Sequence, residues 1–519
     1  MTITPASLAA VNGVTVENQQ FAVSAQVVPQ KNVIIATGND TLVTALGPNV
    51  PKRVFSAEEV GALTGFGFMA HRLARAAFKA GTVETWIIPQ LEPAGGAKAA
   101  GNIAFTGPST ASGELALYIA NERVAQPVAT GKSAADVVTE YVTAINGREE
   151  LPVTASAAVG TLHLFSKSEG TWGNAITLAF NLQAGEALPA GIGATVTDMA
   201  TGAGIPDIQD ALDAMGTGDA QNELFFTNVI HGYGLDTSTL NALSEYNGIG
   251  NLETGNYSKT VARPFRSLVG DTTPLAAGLA AALVAAGLRR ELDRTNGILC
   301  APGEYYHPQE LAAQAVGVMA VTNSIRAEEG YIDKPLGTSY AASGGRWTND
   351  FDNRDQAVRG GVSTTLVKNG VLTLQNLITF YRPAAVAPES NGYRAMRNIS
   401  IIQNLLNNYR LNFERSKWKG ITIVEDVANV SNVTSRLKAR DVDSVLDDLV
   451  ALADVFAGNA WLYTAEYTKS ELQKGDKVTL RAGLTGFDII FPVILSGEGG
   501  IFNSVITFDT SIAILLGGE

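Results

Sequence analysis

The sequence holds a single cysteine, Cys300, in 519 residues. An intramolecular disulfide is therefore impossible, and extracellular stapling and thiolate metal clusters are excluded with it. Histidine is nearly as scarce. His71, His163, His231 and His307 are scattered, and no two stand at the spacing of paired metal ligands. Charged residues make up 17% of the chain, against about 25% in ordinary soluble domains. The 37 Lys and Arg are outnumbered by 50 Asp and Glu, a balance of −13, so the basic footprint needed to wrap nucleic acid is missing. Long apolar runs are missing too. The longest, Pro274 to Leu288, is fifteen residues rich in Ala and Gly; a bilayer needs about 20, so it reads as a buried helix with no direct membrane insertion. MTITPASLAA at the N-terminus has neither the basic nor the apolar region of a signal peptide, and a cytoplasm-like compartment is expected.

What is present is core-forming material. Hydrophobic residues are 46% of the chain, and the length suits about three domains. With so little charge to cover the outside, much of the surface is expected to lie against partners, because interface cores are depleted of charge.

The pattern along the chain divides it into six stretches. Residues 1–30 read as an N-terminal arm, in which Phe21, Val23 and Val27 belong to a period-2 strand pattern with no hairpin partner nearby. Residues 31–93 form a first α/β segment: a strand at Val33–Ala36, a helix opening near Phe68, and a strand from Val83 to Pro89. On that helix Met69, Leu73 and Ala77 make an apolar stripe, and Arg72, Arg75 and Lys79 line the opposing face. Residues 94–200 read as a β-rich insertion domain, interrupted by one helix that Ser133 caps, with Asp136 at N3 and Asn146-Gly147 ending it. Residues 201–370 alternate strands and helices, which predicts right-handed βαβ units and a mainly parallel sheet. Within them a helix opens at Pro308, where a missing N–H costs nothing, and Asn369-Gly370 marks a two-residue type I′ hairpin. Residues 371–500 read as a C-terminal α+β domain, with a long helix carrying Ile399, Ile402, Leu405, Leu406, Tyr409 and Phe413 on one face. Residues 501–519 form a C-terminal arm, strand-prone and apolar at Val505, Thr507, Ile512 and Ile514. An apolar strand left loose at each end of a chain is an aggregation hazard unless another molecule completes it.

Several motifs resemble catalytic or ligand-binding signatures, and each has a plain structural role. Gly131-Lys132-Ser133 ends like a phosphate-binding loop, but Gln126 stands where the earlier glycine belongs. Gly65-Phe66-Gly67 lacks the strand that should run into a dinucleotide fingerprint. Asp350, Asp352 and Asp355 lack the calcium-loop glycine, and Gly361 stands at position twelve where Glu is needed, so a solvated loop is expected. Gly337-Thr338-Ser339-Tyr340-Ala341 resembles the nucleophile signature of subtilisin-like proteases, with His231-Gly232 upstream in the right order. The third member fails: the early strand ends Ile35-Ala36-Thr37-Gly38, with no carboxylate to hold the imidazole tautomer. No catalytic set, metal site or cofactor site survives.

Laid end to end, these segments resemble contractile tail sheath proteins of Mu-like myophages. The residues that carry the likeness are Phe66-Gly67 leading to Ala74-Arg75-Ala76-Ala77-Phe78-Lys79-Ala80-Gly81, Gly131-Lys132-Ser133-Ala134-Ala135, Gly170-Thr171-Trp172-Gly173-Asn174-Ala175-Ile176, Ala301-Pro302 with Pro308-Gln309-Glu310-Leu311-Ala312-Ala313, and Arg397-Asn398-Ile399-Ser400. The resemblance implies a subtilisin-like parallel α/β domain without protease activity. It also implies terminal arms that add strands to neighbouring subunits, and a helical homo-oligomer around a tail tube, bounded by a baseplate and a tail terminator. It implies a virion component assembled in the bacterial cytoplasm, without cofactors, whose contraction drives the tube through the host envelope. A positive bias at Arg394, Arg397, Arg415, Lys417 and Lys419 is expected to face the tube. The alternatives are a subtilisin-like serine hydrolase and a non-contractile self-assembling shell or surface-layer protein.

Overall fold

The computed structural model describes residues 25–216, 225–248, 255–258, 261–274, 292–341, 345–347, 349–382 and 392–499. Phe21, Val23, Val505, Thr507, Ile512, Ile514 and all but the start of the stretch Pro274–Leu288 lie outside them.

The chain opens with β1 (Lys31–Thr37), β2 (Lys52–Val54) and β3 (Glu84–Gln90). Seven strands follow in the β-rich stretch: β4 (Lys98–Thr106), β5 (Gly113–Ile119), β6 (Glu122–Val128), β7 (Val153–Ala158), β8 (Thr161–Glu169), β9 (Leu178–Phe180) and β10 (Gly193–Ala200). Then come β11 (Asn228–His231), β12 (Arg266–Asp271), β13 (Asn296–Cys300), β14 (Pro335–Thr338), β15 (Ser363–Lys368) and β16 (Val371–Asn376). The chain is thus a mixed α/β protein with several sheets.

The largest sheet among the described residues has nine strands in the order β14-β16-β15-β13-β12-β11-β1-β3-β2. Its middle, from β15 to β3, is parallel, and antiparallel strands finish both edges. A parallel sheet is covered on both faces, so its strands read as continuous apolar runs. Val33, Ile34, Ile35 and Ala36 of β1 are all buried. Helix Met69–Lys79 and helix Pro308–Ile325 pack where small residues allow it. A Cβ on Gly317 would lie 2.3 Å from the Ala77 carbonyl oxygen, and one on Gly270 of β12 would lie 1.8 Å from that of Pro308.

Local signals place many of these elements. Ser133 and Asp136 form a reciprocal capping box on helix Ala134–Asn146. Pro308 sits at the start of its helix, behind a His307 cap. Asn369 and Gly370 have φ of 51° and 76°, joining β15 and β16 in register. The aspartates near 350 differ from expectation. Asp350 caps helix Phe351–Gly360 by accepting from the Asn353 N–H, and Asp355 pairs with Arg359 one turn on. The local charge ladder makes a helix of what reads as a loop.

Residues 98–200 build two further sheets, β10-β4-β8-β7 and β6-β5-β9. By contacts the chain divides into two units: residues 27–407 with 495–519, and residues 1–26 with 408–494. The expected boundary at 370/371 falls inside the β15–β16 hairpin, whose cross-strand hydrogen bonds tie residues 371–376 to the nine-stranded sheet; the division lies at 407/408 instead, within helix Met396–Glu414. The second unit carries β17 (Thr422–Ile423) beside β18 (Ala439–Arg440), helices Val442–Gly458 and Ala465–Leu472, and β19 (Val478–Leu480) beside β20 (Phe487–Ile489). Its core is Val445, Leu449, Leu472 and Val478, with Tyr409, Phe413, Trp418 and Phe491 packed on it.

Candidate assembly elements

The first residues described, 25–30, lie outside any strand, and Val27 is half-buried. Asparagine side chains take the place of a strand partner here. The Val28 N–H donates to Asn404 Oδ1 at 2.7 Å. The Gln26 N–H donates to Asn408 Oδ1 at 2.9 Å, and Asn408 Nδ2 donates back to the Gln26 carbonyl at 2.8 Å. A side-chain amide offers the same donor and acceptor as a peptide group, so it can stand in for a rung of a ladder. Sequence periodicity sees only the strand pattern and cannot name a partner almost four hundred residues away.

In the second unit β19 and β20 form a two-stranded antiparallel sheet, so among the described residues each has one edge without a neighbour. Leu480, Leu484 and Ile490 around it are 41%, 60% and 60% exposed. An open edge flanked by exposed apolar side chains is a template for a further strand.

The basic cluster splits. Arg394 and Arg397 are buried. Arg394 donates to the Val358 carbonyl; Arg397 donates through Nε to the Glu328 carbonyl, through Nη1 to the Ser496 carbonyl at 2.6 Å and through Nη2 to Ser496 Oγ at 2.8 Å. Both guanidiniums satisfy main-chain acceptors inside the first unit instead of facing a partner. This corrects the expectation for those two. Lys417 Nζ reaches Asp448, whose Oδ2 also accepts from Trp418 Nε1 at 2.8 Å. Arg440 lies over the Trp418 ring, 5.6 Å from its centroid. Lys419 is exposed and Arg415 half-buried.

The protease-like residues are not brought together. His231 ends β11, and Ser339 follows β14 at the edge of the same sheet. Five strand spacings separate those strands in the sheet order, roughly 24 Å at about 4.8 Å each. His231 is buried, its Nδ1 accepts from the Tyr233 N–H, and desolvation pulls its pKa to about 4. Ser339 Oγ instead donates to Glu304, a buried carboxyl that desolvation pushes up. Nucleophile and base are too far apart for proton transfer. Among the described residues no helix is long and apolar enough to cross a membrane.

No protein-family model matches this chain. Over 135 residues, 26% of its length, it is 36% identical to the Mu-like prophage FluMu tail sheath protein of Haemophilus influenzae, and the match spans 28% of that relative. Among solved structures, the sheath tail protein of Desulfitobacterium hafniense aligns at 10% identity with a TM-score of 0.41, covering 93% of this chain and 100% of the other. The anti-feeding prophage baseplate in its contracted state aligns at 11% and 0.38, covering 99% and 100%. Superpositions this loose add nothing to the sequence match, which on its own makes the chain similar to a Mu-like tail sheath protein.

Proposed function

We propose that this chain is the structural subunit of a contractile phage tail sheath. It polymerises helically around a tail tube through exchanged strands and contracts to drive the tube through the host envelope. The observation that carries this reading is the 36% identity over 135 residues with a Mu-like tail sheath protein. In this reading the nine-stranded sheet is a subtilisin-like body without protease chemistry, and the arms at 1–30 and 501–519 pair with open strand edges of neighbours. The β19–β20 sheet is the acceptor. A heterologous contact of this kind does not close on itself and builds a helix. The subunit belongs to the virion tail, is assembled in the host cytoplasm, and meets a tube, a baseplate and a tail terminator.

Contraction needs no fuel in this account. If the contracted lattice buries on the order of 100 Å² more apolar surface per subunit, contraction is favoured by roughly 2.5 kcal/mol each at about 25 cal/mol per Å². Many copies in series make that a large driving force.

With Arg394 and Arg397 buried, the tube-facing charge rests on Arg415, Lys417 and Lys419. Exposed charge pairs are weak and screened, which suits a contact that must hold without locking. Arg415→Glu with Lys419→Glu should impair loading on tail tubes in a co-sedimentation assay, and unchanged loading would contradict the assignment. Deleting residues 503–519 should leave a folded chain that stays dispersed under conditions where the full chain sediments as polymer. Polymer from the truncated chain would overturn strand exchange through that arm.

A further inference from the structure

Ser496–Glu498 is the last described stretch before the final twenty residues, 500–519, and it is fastened to the first unit by a specific set of contacts. Arg397 donates twice to Ser496. Burial pushes the Glu498 carboxyl pKa up, and the nearby Arg397 charge and the Tyr331 main-chain N–H oppose that shift. The carboxylate sits directly over Gly330, where an added Cβ would fall 1.7 Å from Glu498 Oε1. The missing side chain at Gly330 leaves the room in which the carboxylate sits.

The same place holds the start of the chain. Arg266 is fully buried on β12. Its guanidinium donates to Asn228 Oδ1 at 2.7 Å, to Tyr331 OH and the Met396 carbonyl at 2.8 Å each, to Asn323 Oδ1 at 3.0 Å and to Gln30 Oε1 at 3.3 Å. These five neutral oxygens match its five N–H groups. Tyr331 and its neighbour link the two ends: the Tyr331 hydroxyl accepts from the arginine that holds Gln30, and Gly330 just before it seats the Glu498 carboxylate. Met396 and Arg397, consecutive on one helix, do the same.

We propose that Arg397 and Gly330 form a clip that fastens the chain's C-terminal segment at residues 496–498, next to the polar mount that Arg266 and Tyr331 provide for Gln30. Any load on the C-terminal segment is then delivered to the sheet and the helix at Met396, beside the root of the N-terminal segment. The clip is a property of the single chain and stands apart from the sheath reading.

The test uses the full chain with Gly497→Cys as a labelling site. A Cβ there meets nothing within 4 Å, and the native Cys300 is buried, so a maleimide nitroxide attaches at one position. The label's spectrum should be broad, as for a segment held against a body on the nanosecond scale. Adding Gly330→Ala, which evicts the carboxylate, or Glu498→Gln, which removes its charge, should narrow the lines, with far-UV circular dichroism unchanged. Gly330→Ala needs no φ that alanine avoids, and Glu498→Gln keeps the side chain's shape, so one of the two reports even if the other perturbs folding. A spectrum equally narrow in the parent and both variants, or equally broad in all three, would overturn the clip.

Discussion

The nine-stranded sheet and the β19–β20 sheet solve the same problem in opposite ways. In the first, strands such as β1 are buried along almost their whole length, and every middle strand has two neighbours. In the second, two three-residue strands pair only with each other among the described residues, and Leu480, Leu484 and Ile490 stand in solvent beside them. The larger sheet is closed by its own strands, whereas the smaller one packs on the helix Val442–Gly458 through Val478 and keeps edges without a neighbour among the described residues; in the proposed function those edges take a further strand. Substitutions should therefore divide. Those in the body cost stability; those at the hairpin cost assembly.

The largest expected effect is at Arg266. Arg266→Met removes five hydrogen bonds at once and strips buried acceptors such as Asn228 Oδ1 of the guanidinium, and each buried acceptor left unpaired costs about 1–3 kcal/mol. The urea midpoint of the body, followed by hydrogen exchange in β11 and β12, should fall sharply while exchange in helix Val442–Gly458 is unaffected. Equal loss in both regions would break the comparison.

Acid provides the next effect. Desolvation holds His71 and His231 at about 4, against about 6.5 unfolded. The unfolded chain takes up those protons first, so the stability they give is complete above about pH 6.5. It is lost as pH falls toward 4, by up to about 3 kcal/mol per histidine. Glu92, Asp293 and Glu304, pushed up by burial, titrate in the opposite sense, so the informative comparison is with a variant. His231→Gln should lose less stability than the parent between pH 7 and pH 5, by about 2 kcal/mol. All four histidines precede residue 408, so this acid limb belongs to the body. An identical pH profile in parent and variant would remove the assignment.

The smallest effect on stability and the largest on assembly are expected together at Leu480, 41% exposed on β19. Leu480→Asp should change the melting of the dispersed chain by no more than about 0.5 kcal/mol, yet prevent polymerisation measured by light scattering. Polymers at normal yield would mean that the β19 face is not the acceptor.

What the sequence makes legible is what neighbours in sequence decide. The Asn369-Gly370 turn, the Ser133 cap and the Pro308 start each rest on contacts within a few residues. The parallel sheet follows from alternation of strand and helix over longer stretches. The fates of the arginines were not legible. Arg72, on the polar face of its helix, is buried in a bidentate pair with Glu310, 238 residues away. Arg397 meets Glu328 and Ser496, 69 and 99 residues away. A cation in a sequence reads as surface until its acceptors are known, and those are set by the fold. The helix at Phe351–Gly360 is hidden in the sequence for another reason: its aspartates read as solvated loop, and only the Asp350 cap together with the Asp355–Arg359 pair makes them a helix.

In the proposed function this chain assembles with copies of itself into a helical sheath. Negative-stain electron microscopy of the purified full-length chain, alone and with the tail tube protein, tests it most directly. Hollow, transversely striated tubes, or striated coats on tubes, are the predicted result; particles that stay dispersed with the tube protein present would contradict it.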